Sequence, residues 1–334
     1  MTAPGPSPEG YGIAAYARSM IDVRDVSRSF GRTVALDHVS FRVEPGEIVA
    51  LLGPNGAGKT TASRIIAGIL APSAGDVIVD GISVRADPDS IRARCGMVTD
   101  QPSLYERMTL RAYLGFFCHL YDVAEAESRT AELAELLGLT DRLDVRLGAF
   151  SRGMKQKVAI ARGLVHDPPV LLLDEPATAL DPETARSLRT FIVSLRARHR
   201  AILLCTHDLD EAQRIADRVV ILYRGRVARE GLTGDLRGDA HPRFVVSFTG
   251  DPVAARDALA RAGVTAEPAT AQNGYAALRF DADQPDTTNP AVLRALLDGG
   301  VRVITLAREE RSLEDAYFAV VAQAREPAPE RANG

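Results

Sequence analysis

The stretch Ile48-Val49-Ala50-Leu51-Leu52-Gly53-Pro54-Asn55-Gly56-Ala57-Gly58-Lys59-Thr60-Thr61 decides how this chain is read. Its first five residues are all apolar, the pattern of a strand buried on both faces of a parallel sheet. The next eight, Gly53 to Thr60, fit G-x-x-x-x-G-K-[ST] and lie where that loop works, after a buried strand and before a helix. Glycines let successive backbone N–H groups turn toward a β-phosphate, and the helix behind them presents its positive end. Lys59 then reaches the β/γ-oxygens and the Thr60 hydroxyl is a ligand for Mg²⁺. The bland alternative is a glycine-rich turn carrying a surface lysine; the flanking strand and helix argue against it.

Outward from this loop, Val170-Leu171-Leu172-Leu173 is a second buried-strand pattern and ends in Asp174-Glu175. In a parallel sheet those two carboxylates emerge at the carboxyl edge, beside the phosphate loop. Asp174 can hold a Mg²⁺ shell there and Glu175 can polarise an attacking water. A third strand, Ala201 to Cys205, and a helix over Pro182 to Arg198 complete an alternating α/β pattern, a parallel sheet covered by helices. Short β-type runs precede it at Ile21 to Val26 and Val34 to Val43. Thr109 to His166 carries helical periodicity only and reads as a helical subdomain, about 105–166, inserted into the α/β core.

After Pro242 the pattern changes. It parses as strand Arg243 to Thr249, helix Val253 to Ala262, strand Val264 to Glu267 stopping before Pro268, and strand Tyr275 to Phe280. Helix Pro290 to Asp298 and strand Val301 to Ala307 complete a βαββαβ unit, closed by a helix from Ser312. The expected domains are a disordered tail over 1–19, a phosphate-loop domain over 20–235, an α+β accessory domain over 242–324 and a second tail over 325–334. The N-terminal Pro, Gly and Ala cannot bury enough surface to offset ordering entropy. Ordered sequence begins at Met20-Ile21, so Met1 and Met20 both stand as translation starts.

Composition removes several functions. The 334 residues hold 40 Lys plus Arg against 44 Asp plus Glu, net charge −4, which is not the basic excess of a nucleic-acid binder. No apolar run approaches the ~20 residues that cross a bilayer, and the first residues lack a basic segment followed by a hydrophobic core, so neither an anchor nor a signal peptide is expected. A membrane role therefore goes through another polypeptide. Cys95, Cys118 and Cys205 lie in apolar contexts and read as buried free thiols in a reducing cytoplasm. The six histidines are scattered, so no zinc cluster forms from sequence neighbours and any metal should be held by oxygen.

Phe150-Ser151-Arg152-Gly153-Met154-Lys155-Gln156, upstream of Asp174, resembles the signature of ATP-binding cassette proteins. Arg152 replaces a glycine and Met154 a glutamine of the commonest form; the S-R-G-M-K-Q variant is similar to that of polyketide, drug and polysaccharide exporters. The resemblance covers roughly Ile21 to Gly231. It implies a P-loop NTPase cassette, a RecA-like core with an antiparallel β subdomain and an inserted helical subdomain, followed here by a ferredoxin-like α+β domain. It also implies that Ser151 and the Gly153 N–H act on a nucleotide held by a second copy. Phe30 matches the aromatic that stacks on adenine, Ala177 to Asp181 the D-loop, and His207 the switch histidine that senses the γ-phosphate. The implied catalytic residues are Glu175, His207 and Lys59. Phe30, Gly53, Pro54, Asn55, Gly56, Ala57, Gly58, Lys59, Thr60, Thr61, Ser151, Gly153 and Asp181 would bind ATP, and Thr60, Asp174 and Asp100 the Mg²⁺.

Asp100 marks a departure. Aligning Met97 to Tyr105 on the family puts Asp100 where the Q-loop glutamine stands, with Gln101 one place later, and either can serve. Arg311-Ser312-Leu313-Glu314-Asp315-Ala316-Tyr317 resembles the S-L-E-D motif of antibiotic-resistance exporters of the daunorubicin type. The function implied is the ATP-hydrolysing subunit of an exporter, peripheral on the cytoplasmic face of the cell membrane. Its partners would be a separately encoded permease and a second copy that together sandwich two MgATP, with no nucleic acid. The competing reading is a cassette ATPase with no transporter; against it, the chain has one cassette and no coiled-coil insertion. A generic P-loop kinase or GTPase is the third reading; against it, no guanine-selecting N-K-x-D motif is present and the signature argues for hydrolysis across a dimer.

Overall fold

The computed structural model describes residues 19–101, 103–236, 242–270, 274–309 and 313–325. Nearly all of both expected tails lies outside these residues, as do Arg311 and Ser312 of the S-L-E-D-like stretch. The chain forms two units, Met1–His207 with Leu222–Val227, and Asp208–Ile221 with Ala228–Gly334. The division runs through the strands Arg218–Tyr223 and Arg226–Leu232.

In the first unit, the strands Ile48–Leu52, Ala201–Thr206, Val170–Asp174 and Cys95–Val98 lie parallel in that order. The first three are buried at every residue, as continuous apolar runs require when helices cover both faces. Cys95–Val98 has only four residues and no bounding turn signal, so its sequence does not announce a strand. Gly96 is needed within it, because an added Cβ would stand 2.1 Å from the Gly163 carbonyl oxygen of the helix Arg152–Leu164. An antiparallel sheet is built from Thr33–Val43, Ile21–Phe30, Ala74–Val79 and Ile82–Ser83 in that order. The region expected to be helical contains Leu110–Leu120, Ala126–Leu136 and Arg152–Leu164, the first capped by the Thr109 hydroxyl and the last by that of Ser151. The helix expected over Pro182 to Arg198 is α-helical to Ser194 and tightens to a 3₁₀ turn over Leu195–Arg198.

The second unit carries an antiparallel sheet ordered Ala266–Thr270, Ala276–Asp281, Arg243–Thr249 and Arg302–Arg308. The helices Pro252–Arg261 and Pro285–Asp298 lie between its strands in sequence, giving the βαββαβ order of a ferredoxin-like fold. Phe244, Val246, Phe248, Leu278 and Phe280 fill one sheet face and meet Ala255, Leu259, Val292 and Leu296 of the helices. Most boundaries of this unit shift by one or two residues from the sequence reading, and two shift further. The second strand does not stop before Pro268 but runs Ala266–Thr270 through it; as the edge strand, it has among the described residues no outer neighbour needing the missing N–H. The helix starts at Pro285 rather than Pro290, because Pro285 suits a helix's first turn and Pro290 removes only one internal bond. The closing helix Leu313–Arg325 begins with its Leu313 N–H donating to Gln213 Oε1 at 2.9 Å. Among the described residues no helix is long and apolar enough to cross a membrane.

Candidate nucleotide site

Parallel strands deliver their carboxyl ends to one edge, so the loops after Leu52, Val98, Asp174 and Thr206 converge within the first unit. Leu52 leaves the sheet into Gly53 and the chain re-enters regular structure at the helix Lys59–Ile66. Gly58, at φ 109°, precedes that helix, and a Cβ there would lie 2.5 Å from the Ala35 carbonyl oxygen. Only glycine makes this turn without strain. No side chain caps the helix start, which leaves its first N–H groups to an anion.

Lys59 is buried, and its Nζ donates to the carbonyls of Gly53 at 2.7 Å and Pro54 at 3.4 Å. The same ammonium stands 3.7 Å from Glu175 Oε1. Thr60 Oγ1 donates to Asp174 Oδ2 at 2.8 Å. A cavity of about 400 Å³ is lined by Ala35, Asn55 to Thr61, Arg64, Thr99, Asp100, Asp174 and Glu175. Asp100 is therefore at the cavity; Gln101 is exposed, outside its lining, and its carbonyl accepts from Thr99 Oγ1 at 2.8 Å. A larger depression of about 750 Å³ in the second unit has none of these elements.

Burial pushes the Asp174 carboxyl above its ordinary pKa; the Thr60 hydrogen bond opposes this, and the charges of Glu175 and Asp100 add to it. A native pKa above the unfolded one means that the stability associated with this group is complete at low pH and is lost as pH rises through the raised value. Asp174→Asn removes that loss while keeping an oxygen for Thr60. The nucleotide- and metal-free variant should melt above wild type at neutral pH, with the gain shrinking toward acid pH in a thermal scan. A lower neutral-pH Tm would contradict the assignment.

Glu175 has φ 51°, a left-handed conformation that costs a non-glycine residue energy and marks sites held by their surroundings. Its N–H donates to the Cys205 carbonyl at 2.8 Å. His207 Nδ1 lies 2.8 Å from each carboxylate oxygen, and Thr178 Oγ1 donates to Oε2 at 2.9 Å.

Other expected site residues stand outside the cavity lining in a single chain. Phe30 is half exposed, with the Arg28 guanidinium carbon 4.7 Å from its ring centroid. Ser151 Oγ accepts from Met154 N–H, and Asp181 accepts from Thr184 N–H at 2.9 Å; hydrogen bonding from the Thr184 side chain first, and then from its N–H, holds the Asp181 carboxyl below its usual range. Gly153 packs so closely on Thr184 that a Cβ would fall 2.2 Å from its methyl carbon. Three residues that the sequence reading did not single out as site residues, two of them inside the Q-loop and D-loop alignments, belong to the site's surroundings. Arg64 follows Thr60 by four positions on one helix face, a legible spacing. Thr99 directly follows the unannounced strand Cys95–Val98, and Thr178 lies in the turn after Glu175.

A family model described as ABC transporter matches residues 36–178. The chain is 40% identical over 219 residues to ABC transporter ATP-binding protein NatA of Bacillus subtilis, covering 64% of this chain and 89% of that protein. It is 39% identical over 243 residues to Nod factor export ATP-binding protein I of Paraburkholderia xenovorans, covering 72% and 80%. Among solved structures, the ATP-binding subunit of an ABC transporter superposes with TM-score 0.60 at 35% identity, covering 66% of this chain and 93% of that one. The dimeric cassette MJ0796, in a post-hydrolysis state bound to ADP and Pi, superposes at TM-score 0.58 and 27% identity, covering 64% and 99%. With the phosphate loop, the acidic pair and the cassette fold in one unit, the chain belongs to the ATP-binding subunits of ABC transporters.

Proposed function

We propose that this chain binds ATP between its own phosphate loop and the signature segment of a second copy, and that hydrolysis there drives export through a separately encoded permease. The observation that carries this reading is the convergence of Lys59, Thr60–Asp174 and Glu175–His207 on one sheet edge. The helix N-terminus and Lys59 draw the triphosphate in. The Glu175 carboxylate takes proton density from a water aimed at the γ-phosphate, while His207 holds that carboxylate and senses the phosphate beyond it. Thr60 and Asp174, joined at 2.8 Å at a buried carboxylate, are hard oxygen donors that fit Mg²⁺, with Asp100 beside them. A Mg²⁺ held by these oxygens would supply positive charge that offsets the negative charge of the triphosphate.

Ser151 and Gly153 lie outside their own chain's cavity, which agrees with action on a partner's nucleotide, and the MJ0796 cassette is dimeric. The Nod factor export relative supports the direction of transport. The chain would then sit on the cytoplasmic face of the membrane. The test is ATPase rate against Mg²⁺ concentration for wild type, Asp100→Asn and Gln101→Ala, with and without membranes carrying the permease. Asp100→Asn should shift the Mg²⁺ curve to higher concentration and leave metal-free ATP binding unchanged or tighter, because it removes a negative charge near the phosphates. A shift in Gln101→Ala alone assigns the Q-loop role to Gln101. No Mg²⁺ dependence, or no response to the permease, overturns the corresponding half of the proposal.

A further inference from the structure

The Glu175 carboxylate is fixed by Thr178, a residue inside the D-loop-like stretch Ala177 to Asp181 whose side chain has so far been given no task of its own. Thr178 closes a tight turn on Glu175: its N–H donates to the Glu175 carbonyl at 3.2 Å and its hydroxyl donates to Glu175 Oε2 at 2.9 Å. The Thr178 carbonyl in turn accepts from Arg152 Nη2 at 3.3 Å. Arg152 is the first residue of the helix that Ser151 caps, at the position where the commonest signature has a glycine and hence no side chain to make the bond. A path of three residues therefore joins the signature segment to the strained glutamate.

We propose that Thr178 is a positioning residue for hydrolysis, fixing one oxygen of Glu175, and that Arg152 acts through it by holding the 175–178 turn; this rests on the role proposed above for Glu175. The geometry distinguishes the two oxygens. Oε2 takes the Thr178 hydroxyl, while Oε1 faces Lys59 at 3.7 Å, the side on which the phosphates would lie. His207 spans both oxygens equally at 2.8 Å and so cannot choose between them. Without the hydroxyl, the carboxylate is free to swing within its contacts to His207 and Lys59 and loses the orientation a water must meet. The Thr178 hydroxyl touches the carboxylate itself at 2.9 Å, whereas the Arg152 bond is longer, exposed and one residue removed from it, so loss of Thr178 should cost more than loss of Arg152.

The test uses the full chain and compares kcat, the KM for ATP and Tm for Thr178→Val, Thr178→Ser, Arg152→Ala and the double variant Arg152→Ala/Thr178→Val, with Glu175→Gln as reference. Thr178→Val keeps the shape and should lower kcat about tenfold with KM and Tm near wild type. Thr178→Ser should restore most of the rate, which a requirement for the methyl group would not predict. Arg152→Ala should lower kcat roughly threefold alone and have no further effect in the Thr178→Val background, since both act on one bond. Thr178 is exposed, so folding should tolerate all of these. Wild-type kcat in Thr178→Val overturns the proposal, and equal losses from Arg152→Ala in both backgrounds overturn the part assigned to Arg152. If Glu175→Gln itself retains full kcat, the reading of Glu175 fails; if it is inactive while Thr178→Val is fully active, only the present inference fails.

Discussion

Lys59→Ala should abolish ATP binding and turnover. The wild-type ammonium is buried, anchored on the Gly53 and Pro54 carbonyls and placed 3.7 Å from Glu175. An alanine leaves two carbonyls and a carboxylate facing the position of the triphosphate with no cation between them. Water entering the space screens this repulsion but supplies no fixed charge, and a preorganised charge in such a site carries on the order of 100-fold or more in rate. Equilibrium binding of ATP and steady-state hydrolysis measure the two losses separately. Near-wild-type hydrolysis would remove the phosphate-loop assignment.

Glu175→Gln separates binding from chemistry. The amide is close to the carboxylate in shape and keeps an oxygen for the Thr178 hydroxyl, so the nucleotide should bind as before. It cannot take proton density from water, and hydrolysis should fall by roughly 100- to 10,000-fold. A rate that survives would shift the role to another carboxylate at the cavity, Asp100 or Asp174.

Features written in consecutive residues were legible in the sequence; those that the fold assembles were not. Ile48–Leu52 matches its reading residue for residue, because five apolar neighbours leave a strand no exposed face. Cys95–Val98 is too short to show a period, and it brings Thr99 and Asp100 to the cavity. Pro268 and Pro290 misplaced two boundaries for the same reason. Keeping proline at an element's boundary, Pro268 past a strand's end and Pro290 at a helix's start, assumes its N–H is needed; at a sheet edge or for a single helical bond other contacts compensate.

The site divides in the same way. Gly53 to Thr60 and Asp174-Glu175 were read directly, since a strand followed by a short run of special residues carries both structure and chemistry. Thr178 required knowledge that the chain turns back on Glu175 through a left-handed residue, which no alternation of apolar residues records. Ser151, Gly153 and Asp181 have local tasks, two helix caps and one close packing contact. Their proposed part in nucleotide chemistry comes from the family resemblance and needs a second copy.

That second copy is the centre of the account, and light scattering on a size-exclusion column tests it most directly. Glu175→Gln, loaded with ATP and Mg²⁺, should elute at twice the monomer mass and return to monomer when nucleotide is removed or when Lys59→Ala is added to the same chain. ATP bound at full occupancy by a protein that remains monomeric at every concentration would contradict the two-copy mechanism.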